Sequence, residues 1–264
     1  MRKTNYHMHT KRCMHATGTD EEYVLAAIKG GYEEIGFSDH SPWKYNSDFV
    51  AHMRMKESQF DEYYRSIKEL QVKYKDQISI KIGLECEYFE EYMDWLINLA
   101  KSYQLDYIIL GNHYYKTDEK RLYFGRICQQ DYYLTAYVDE CIKAMETGWY
   151  AYVAHPDLFM RARFCFDEQA EKASYRICEA AKRLDIPLEY NLAGACYNER
   201  DHVEQYPHRE FWKIAAKVGN KAIIGVDAHE PEAMMTDRYR DEGIQLLEKL
   251  GIPIVDSIDF SKFK

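Results

Sequence analysis

Short apolar runs alternate with longer amphipathic stretches along all 264 residues of the chain. Runs at 5–9, 34–38, 78–84, 106–110, 151–154, 187–190 and 222–226 have strand length, and 252–255 is a possible eighth. Between them, apolar positions recur at helical spacing. In the stretch 58–75 they fall at Phe60, Tyr64, Ile67, Leu70 and Tyr74, on one helical face. A helix is predicted through residue 29, capped by Thr19 or Asp20 and stopped by Gly30-Gly31. Further helices are predicted over 90–103, 131–146, 167–184, 208–218 and 241–250.

Alternating β and α units with short connections build a parallel sheet, so the fold class is α/β. Seven or eight such units in this length favour a closed barrel over an open sheet. No linker, charge block, low-complexity tract or longer repeat interrupts the pattern, so residues 1–264 are expected to form a single domain.

Composition narrows the classes of partner. The formal net charge is −9 and no basic cluster breaks it, which argues against nucleic acid and anionic membranes. The seven cysteines are scattered with no Cys-x-x-Cys pair, as expected of reduced thiols in a cytoplasmic protein. No secretion signal is visible, and no run approaches the ~20 apolar residues of a membrane span. The 24 tyrosines are expected on half-buried faces.

The candidate chemistry sits where the predicted strands end. His7 and His9 close the first run, Asp39-His40 follow the second, and Glu85 follows the third. His113 follows the fourth, His155 the fifth, and Asp227 and His229 the seventh. In a parallel barrel these ends share one mouth, so residues far apart in sequence would converge. Residues i and i+2 of a strand face the same way, so His7 and His9 can share an ion or divide between adjacent ions. The same holds for Asp227 and His229. Imidazole and carboxylate suit Zn²⁺, Mn²⁺ and Fe²⁺, and Glu85 is the best candidate for a bridging carboxylate, with Glu87 as the fallback. Asp39 is a candidate for orienting a ligand imidazole from behind. His52, His202 and His208 fall in predicted loops or helix starts and are expected in solvent. Asp20, Asp106 and Asp157 are expected to cap helices or lie on the surface.

Together, His7-x-His9, Asp39-His40, Glu85 in Gly83-Leu84-Glu85, Asn112-His113, His155 in Ala154-His155-Pro156-Asp157 and Asp227-x-His229 resemble the polymerase-and-histidinol-phosphatase (PHP) superfamily. The resemblance covers nearly the whole chain and is nearest to the histidinol-phosphatase branch. Gly111-Asn112-His113 departs from the Gly-Ser-His type of that branch, which touches the substrate rim and leaves the ligand intact. The resemblance implies a distorted (β/α)7 TIM-like barrel holding up to three divalent metal ions, Zn, Mn or Fe. It would assign His7, His9, Glu85 and Asp227 to a first ion, Glu85, His113 and His155 to a second, and His15, His40 and His229 to a third. His15, unremarkable by itself in a loop, gains its place six residues beyond His9 from the resemblance alone.

The implied reaction is hydrolysis of a small phosphate monoester, L-histidinol phosphate, by a metal-held hydroxide, with Glu85, Asp227 and His113 as the catalytic set. Arginine is the expected phosphate clamp, because its planar fork matches phosphate oxygens. Arg161, on the loop after the fifth strand, is favoured by the resemblance. Arg200, in the predicted loop after the sixth strand, comes second, and Arg54 and Arg163 follow. Other small phosphate esters, nucleotides or phosphotyrosine remain alternative substrates, and a non-catalytic metal-binding barrel is the alternative outside enzymes. The protein is expected to be a monomer or homodimer.

Overall fold

A computed structural model describes residues 1–263. Strands β1 (Thr4–Asn5), β2 (Glu34–Phe37), β3 (Ser79–Cys86) and β4 (Tyr107–Leu110) pair in that order, all parallel. Strands β5 (Leu188–Asn191), β6 (Ala222–Gly225) and β7 (Ile254–Val255) form a second parallel set. Val153 joins the two sets through single parallel bridges to Leu110 and Leu188. On the other side, Met8 bridges Ala228, and the His9 N–H donates to the Ala228 carbonyl at 2.9 Å. The result is a curled parallel sheet with helices outside it.

The run predicted as a fifth strand therefore shrinks to one bridging residue, Val153. The possible eighth strand exists as β7, two residues long, paired with β6 at Ala222↔Ile254 and Ile223↔Val255. β1 is also shorter than predicted, and the reason is Asn5. Its Oδ1 accepts the Val226 N–H at 2.9 Å, and its Nδ2 donates to the His7 carbonyl at 3.0 Å. A side chain thus takes over bonds that a regular ladder would make with backbone, and the chain leaves regular strand geometry where the histidines begin.

The helices are α1 (Asp20–Lys29), α2 (Phe60–Lys73), α3 (Met93–Ser102), α4 (Phe124–Ile127), α5 (Asp131–Glu146), α6 (Glu168–Arg183), α7 (Leu192–Asp201), α8 (Arg209–Val218) and α9 (Arg238–Lys249). Of the two caps the sequence allows, Thr19 is the one used, in a capping box: the Thr19 hydroxyl accepts from the Glu22 N–H, and the Glu22 carboxylate accepts from the Thr19 N–H at 2.6 Å. α4 and α7 lie in stretches that carry no amphipathic signal long enough to predict them. Among the described residues, no helix is long and apolar enough to cross a membrane.

Many tyrosines are wholly buried rather than half-buried. Tyr6, Tyr107 and Tyr152 form, with Ile109, Ala154 and Ile223, an apolar layer separate from the main core. The Tyr107 hydroxyl donates to the Tyr6 carbonyl at 2.8 Å, which removes the cost of burying it. Asp20 and Asp157 are likewise buried. Asp20 accepts two bonds from Arg12, at 2.9 and 2.8 Å, and Asp157 accepts the His208 N–H at 2.6 Å at the start of α8. His208 is accordingly buried as the cap of α8, while His52 and His202 are exposed as expected. Asp106 neither caps a helix nor stands free on the surface: it accepts the Ile82 N–H at 2.9 Å and ties β4 to β3.

Candidate metal centre

The strand ends place the predicted residues around one carboxylate. Glu85, in the last turn of pleat of β3, is buried. Its Oε1 lies 3.4 Å from His7 Nε2, 3.4 Å from His113 Nε2 and 2.9 Å from His155 Nε2. Its Oε2 lies 3.5 Å from His9 Nε2 and 3.0 Å from His40 Nδ1. Each oxygen faces its own set of imidazoles, which is the arrangement a bridging carboxylate needs. Asp227 completes the near side, with Oδ1 3.0 Å from His9 Nε2 and 3.3 Å from His7 Nε2. His113 Nε2 and His155 Nε2 approach to 3.3 Å. The His229 ring stacks on His9 at 4.1 Å and on His15 at 4.7 Å, and His40 lies 4.4 Å from His9.

Four of these rings are fixed from behind, and the acceptors set their tautomers. His15 Nδ1 is 2.7 Å from the Cys13 carbonyl, and His229 Nδ1 is 3.0 Å from the Asp227 carbonyl. A carbonyl can only accept, so both Nδ1 atoms carry the hydrogen and both Nε2 lone pairs are free. His7 Nδ1 meets Glu189 Oε1 at 2.8 Å, and His113 Nδ1 meets Glu87 Oε1 at 3.1 Å, with the same consequence. His7 Nε2 and His229 Nε2 are buried and have no hydrogen-bond partner. Unpaired imidazole lone pairs beside carboxylates, each ring held by an outer acceptor, are the donor set of a divalent-cation site. A donor atom from each of His7, His9 and Asp227, of His7, Glu85 and His155, and of His9, His40 and His229 lies within 4.8 Å of the others in its group.

Backbone features serve the same placement. Asp227 and His155 have φ of 54° and 30°, left-handed values that cost non-glycine residues energy and recur at functional sites. A Cβ on Gly111 would stand 2.2 Å from Glu85 Oε1, and one on Gly225 would stand 1.7 Å from Glu189 Oε1. Only a glycine leaves room for either carboxylate.

Electrostatics follow from the packing. Burial alone would raise the Glu85 carboxyl, but His113, His7 and His40 outweigh it and hold it well below the usual range. Burial would likewise raise Asp227, and His7, His9 and His229 depress it. Burial would deprotonate His9, yet Asp227 and Asp39 raise it to about 9. His229 goes the other way, to about 3, through burial and the nearby His9 charge. A cation entering between His7, His9 and Asp227 therefore displaces protons, and its affinity rises with pH.

Glu189 is the member that the strand-end pattern misses. It lies inside β5, whose four residues are all buried. Besides His7, it accepts the His155 N–H at 3.0 Å and Asn191 Nδ2 at 2.9 Å, both on Oε2. Glutamine at 189 would turn its amide hydrogens against either those two donors or the His7 N–H. We expect Glu189→Gln to weaken metal binding about 10–100-fold, measured by competition with a chelator. Unchanged affinity would relieve Glu189 of this role.

The remaining candidates separate by their partners. Glu87, the fallback ligand, is taken by Arg54 and backs His113. Asp39 lies behind His9, 3.6 Å from its Nδ1, and accepts from Thr10 and from the His40 N–H at 2.7 Å. Arg54 is buried against Glu87 and Asp118, and Arg163 is paired with Asp131 and Asp167, so neither guanidinium is free for phosphate. Arg200 lies in helix α7 rather than a loop, exposed and paired with Asp201 at 2.7 Å. Arg161 lies in the 3-10 turn Leu158–Ala162 and donates to the Tyr123 hydroxyl at 3.1 Å.

Known proteins resemble this chain in sequence and in fold. A protein of Deinococcus radiodurans named "Probable histidinol-phosphatase" is 27% identical over 235 residues, 85% of each chain. The Bacillus subtilis histidinol-phosphatase is 31% identical over 128 residues, 46% of this chain and 48% of that protein. The crystal structure of a histidinol phosphate phosphatase from Lactococcus lactis, complexed with zinc, L-histidinol and phosphate, superposes with a TM-score of 0.75 at 21% identity, covering 100% of this chain and 98% of that one. The PHP domain profile matches residues 5–193, and the chain belongs to the PHP domain family.

Proposed function

We propose that the chain is a metal-dependent phosphomonoesterase that hydrolyses L-histidinol phosphate to L-histidinol and phosphate. The observation that carries this reading is the Glu85 hub, with three imidazoles on one oxygen and two on the other. The Deinococcus relative, matched over 85% of its length, supports the choice of substrate. In this reading residues 1–264 form one domain, a distorted (β/α)7 barrel in which Val153 stands for a strand. The protein works in the cytoplasm, where its seven free cysteines stay reduced, as a monomer or homodimer.

His7, His9, Glu85 and Asp227 would hold a first divalent ion, Glu85, His113 and His155 a second, and His15, His40 and His229 a third. Zinc, manganese and iron all suit these donors. Such ions lower the pKa of bound water from about 15.7 toward ~7 and offset charge on phosphoryl oxygens. The chain's own part is positioning. Glu85 sets the spacing of the two inner groups. Asp227 Oδ2, held by Asn191 Nδ2 at 3.1 Å, sits at the more open side of the site, so its Oδ1 stays turned toward His7 and His9 and would face the first ion. His113, steadied by Glu87, orients the second group. Arg161 takes a phosphoryl oxygen, and Arg200 stands further out.

The test is a panel of phosphate esters assayed with Mn²⁺, Zn²⁺ or Fe²⁺. Histidinol phosphate should be turned over faster than a generic aryl phosphate, and His113→Ala should lower the rate at least ~100-fold with an unchanged circular dichroism spectrum. Equal rates across the panel would sink the substrate assignment, and full activity in the folded variant would remove the second metal group from the reaction.

A further inference from the structure

Arg161 differs from three of the other buried or half-buried arginines in what balances it. Arg12, Arg54 and Arg163 each form ion pairs with carboxylates. Among the described residues, no carboxylate lies within ion-pair distance of Arg161, although Asp201 is near enough to feel its charge; two aromatic rings flank it instead. Its guanidinium lies 4.8 Å from the Tyr197 ring centroid and 5.9 Å from that of Tyr123, whose hydroxyl it also reaches at 3.1 Å. Arg200 lies 5.1 Å from the same Tyr197 ring but is neutralised by Asp201. Tyr197 stacks on Tyr206 at 6.4 Å, and Tyr206 meets His155 edge-on at 6.2 Å. Tyr123 pairs with Tyr114, and the following Phe124 N–H donates to the His113 carbonyl at 2.8 Å. Both tyrosines are therefore tied to metal-ligand candidates, one through His155 and the other through His113.

We infer that Tyr197 and Tyr123 are positioning residues that aim the Arg161 guanidinium at a phosphoryl oxygen, Tyr197 through its ring face and Tyr123 through its hydroxyl. This rests on the reading that a phosphoryl group binds at this mouth. A ring face orients a guanidinium without neutralising it, whereas a carboxylate would compete with phosphate for the same hydrogens. The positive charge is thus held in place with no carboxylate in contact with it.

The two tyrosines should respond differently to substitution. Tyr197→Phe keeps the ring face and loses a hydroxyl that also reaches toward Arg161, so it should keep clearly more phosphate affinity than Tyr197→Leu. Tyr197→Leu should weaken binding of inorganic phosphate to the zinc-loaded protein about 3–30-fold by calorimetry, and raise KM for a phosphate monoester more than it lowers kcat. Tyr123→Phe should weaken phosphate binding about 3–10-fold through the lost hydrogen bond. In an Arg161→Gln background, Tyr197→Leu should add nothing further. Unchanged phosphate affinity in Tyr197→Leu overturns the proposal, as does an equal loss in Tyr197→Phe. If Tyr197→Leu does not fold, Tyr197→Trp replaces it: with a ring face kept, wild-type phosphate affinity supports the proposal and a loss as large as that of Arg161→Gln overturns it. Wild-type protein that retains zinc but binds no phosphate would instead sink the underlying phosphatase reading.

Discussion

Glu85→Gln is expected to lower turnover of histidinol phosphate by roughly 10³-fold or more and to leave the protein short of bound metal. The substitution keeps the size of the side chain and changes only its charge and one donor pattern. Both Glu85 oxygens face ring nitrogens, at 2.9–3.4 Å on Oε1 and 3.0–3.5 Å on Oε2. An amide can offer only one acceptor oxygen, so either the His7–His113–His155 side or the His9–His40 side meets an NH₂ group that cannot bind a cation. Positioned cation charge contributes several kcal/mol to such reactions, and each ~1.4 kcal/mol is tenfold in rate. Elemental analysis of the purified variant and steady-state kinetics with added Mn²⁺ or Zn²⁺ give the two readouts. A variant that holds its full metal complement and turns over within tenfold of wild type would show that the carboxylate is not shared.

How legible this centre is in sequence depends on where each residue sits. His7, His9, Glu85, His113, His155, Asp227 and His229 stand out because a polar metal-ligand type ends or follows an apolar run, and parallel strands bring those ends together. Glu189 hides in the run 187–190, where a lone glutamate in a short strand reads as the solvent-facing member of an alternation. The usable signal is that central parallel strands are buried on both faces, so a charge inside one is an anomaly that requires a partner. Asn5 hides for another reason. Its role is to interrupt a ladder, and no periodicity registers an interruption one residue wide. Val153 was legible as part of a strand, but its pairing on both sides lasts only one residue, because the 151–154 segment is leaving the sheet toward the strained His155. Arg200 could not be placed from pattern, since α7 has no strongly amphipathic face to separate helix from loop. Arg54 is illegible for a further reason: its position in sequence says nothing about the two carboxylates it meets in space.

Arg54→Met is expected to destabilise the fold by about 3–5 kcal/mol, although Arg54 touches none of the proposed ligands directly. Arg54 is 1% exposed. It donates to Glu87 at 2.7 and 3.0 Å, to Asp118 at 2.8 Å and to the Ser41 carbonyl at 3.1 Å. Burial pushes the Glu87 carboxyl up, and Arg54 together with His113 outweighs it and holds the group below the usual carboxylate range. A carboxyl depressed in the folded state contributes stability that is present above its unfolded pKa and lost as pH falls through the folded value. In wild type that loss therefore waits for strong acid. Without Arg54, burial dominates at Glu87, its folded pKa rises above the unfolded one, and the linkage reverses sign: protonation then relieves the unpaired charge. The stability gap between variant and wild type, measured by urea melts, should narrow as the solution is acidified toward the ordinary carboxylate range. Arg54→Met combined with Glu87→Gln and Asp118→Asn should recover much of the loss, because the main cost lies in the two stranded charges. A gap that stays constant with pH, or a triple variant as weak as the single, would mean that Arg54 acts by packing alone. The same lesion reaches the metal centre, since Glu87 fixes the Nδ1 hydrogen of His113 at 3.1 Å. A folded Arg54→Met protein at low temperature should therefore bind the proposed second ion more weakly than wild type, which separates this network from an ordinary buried salt bridge.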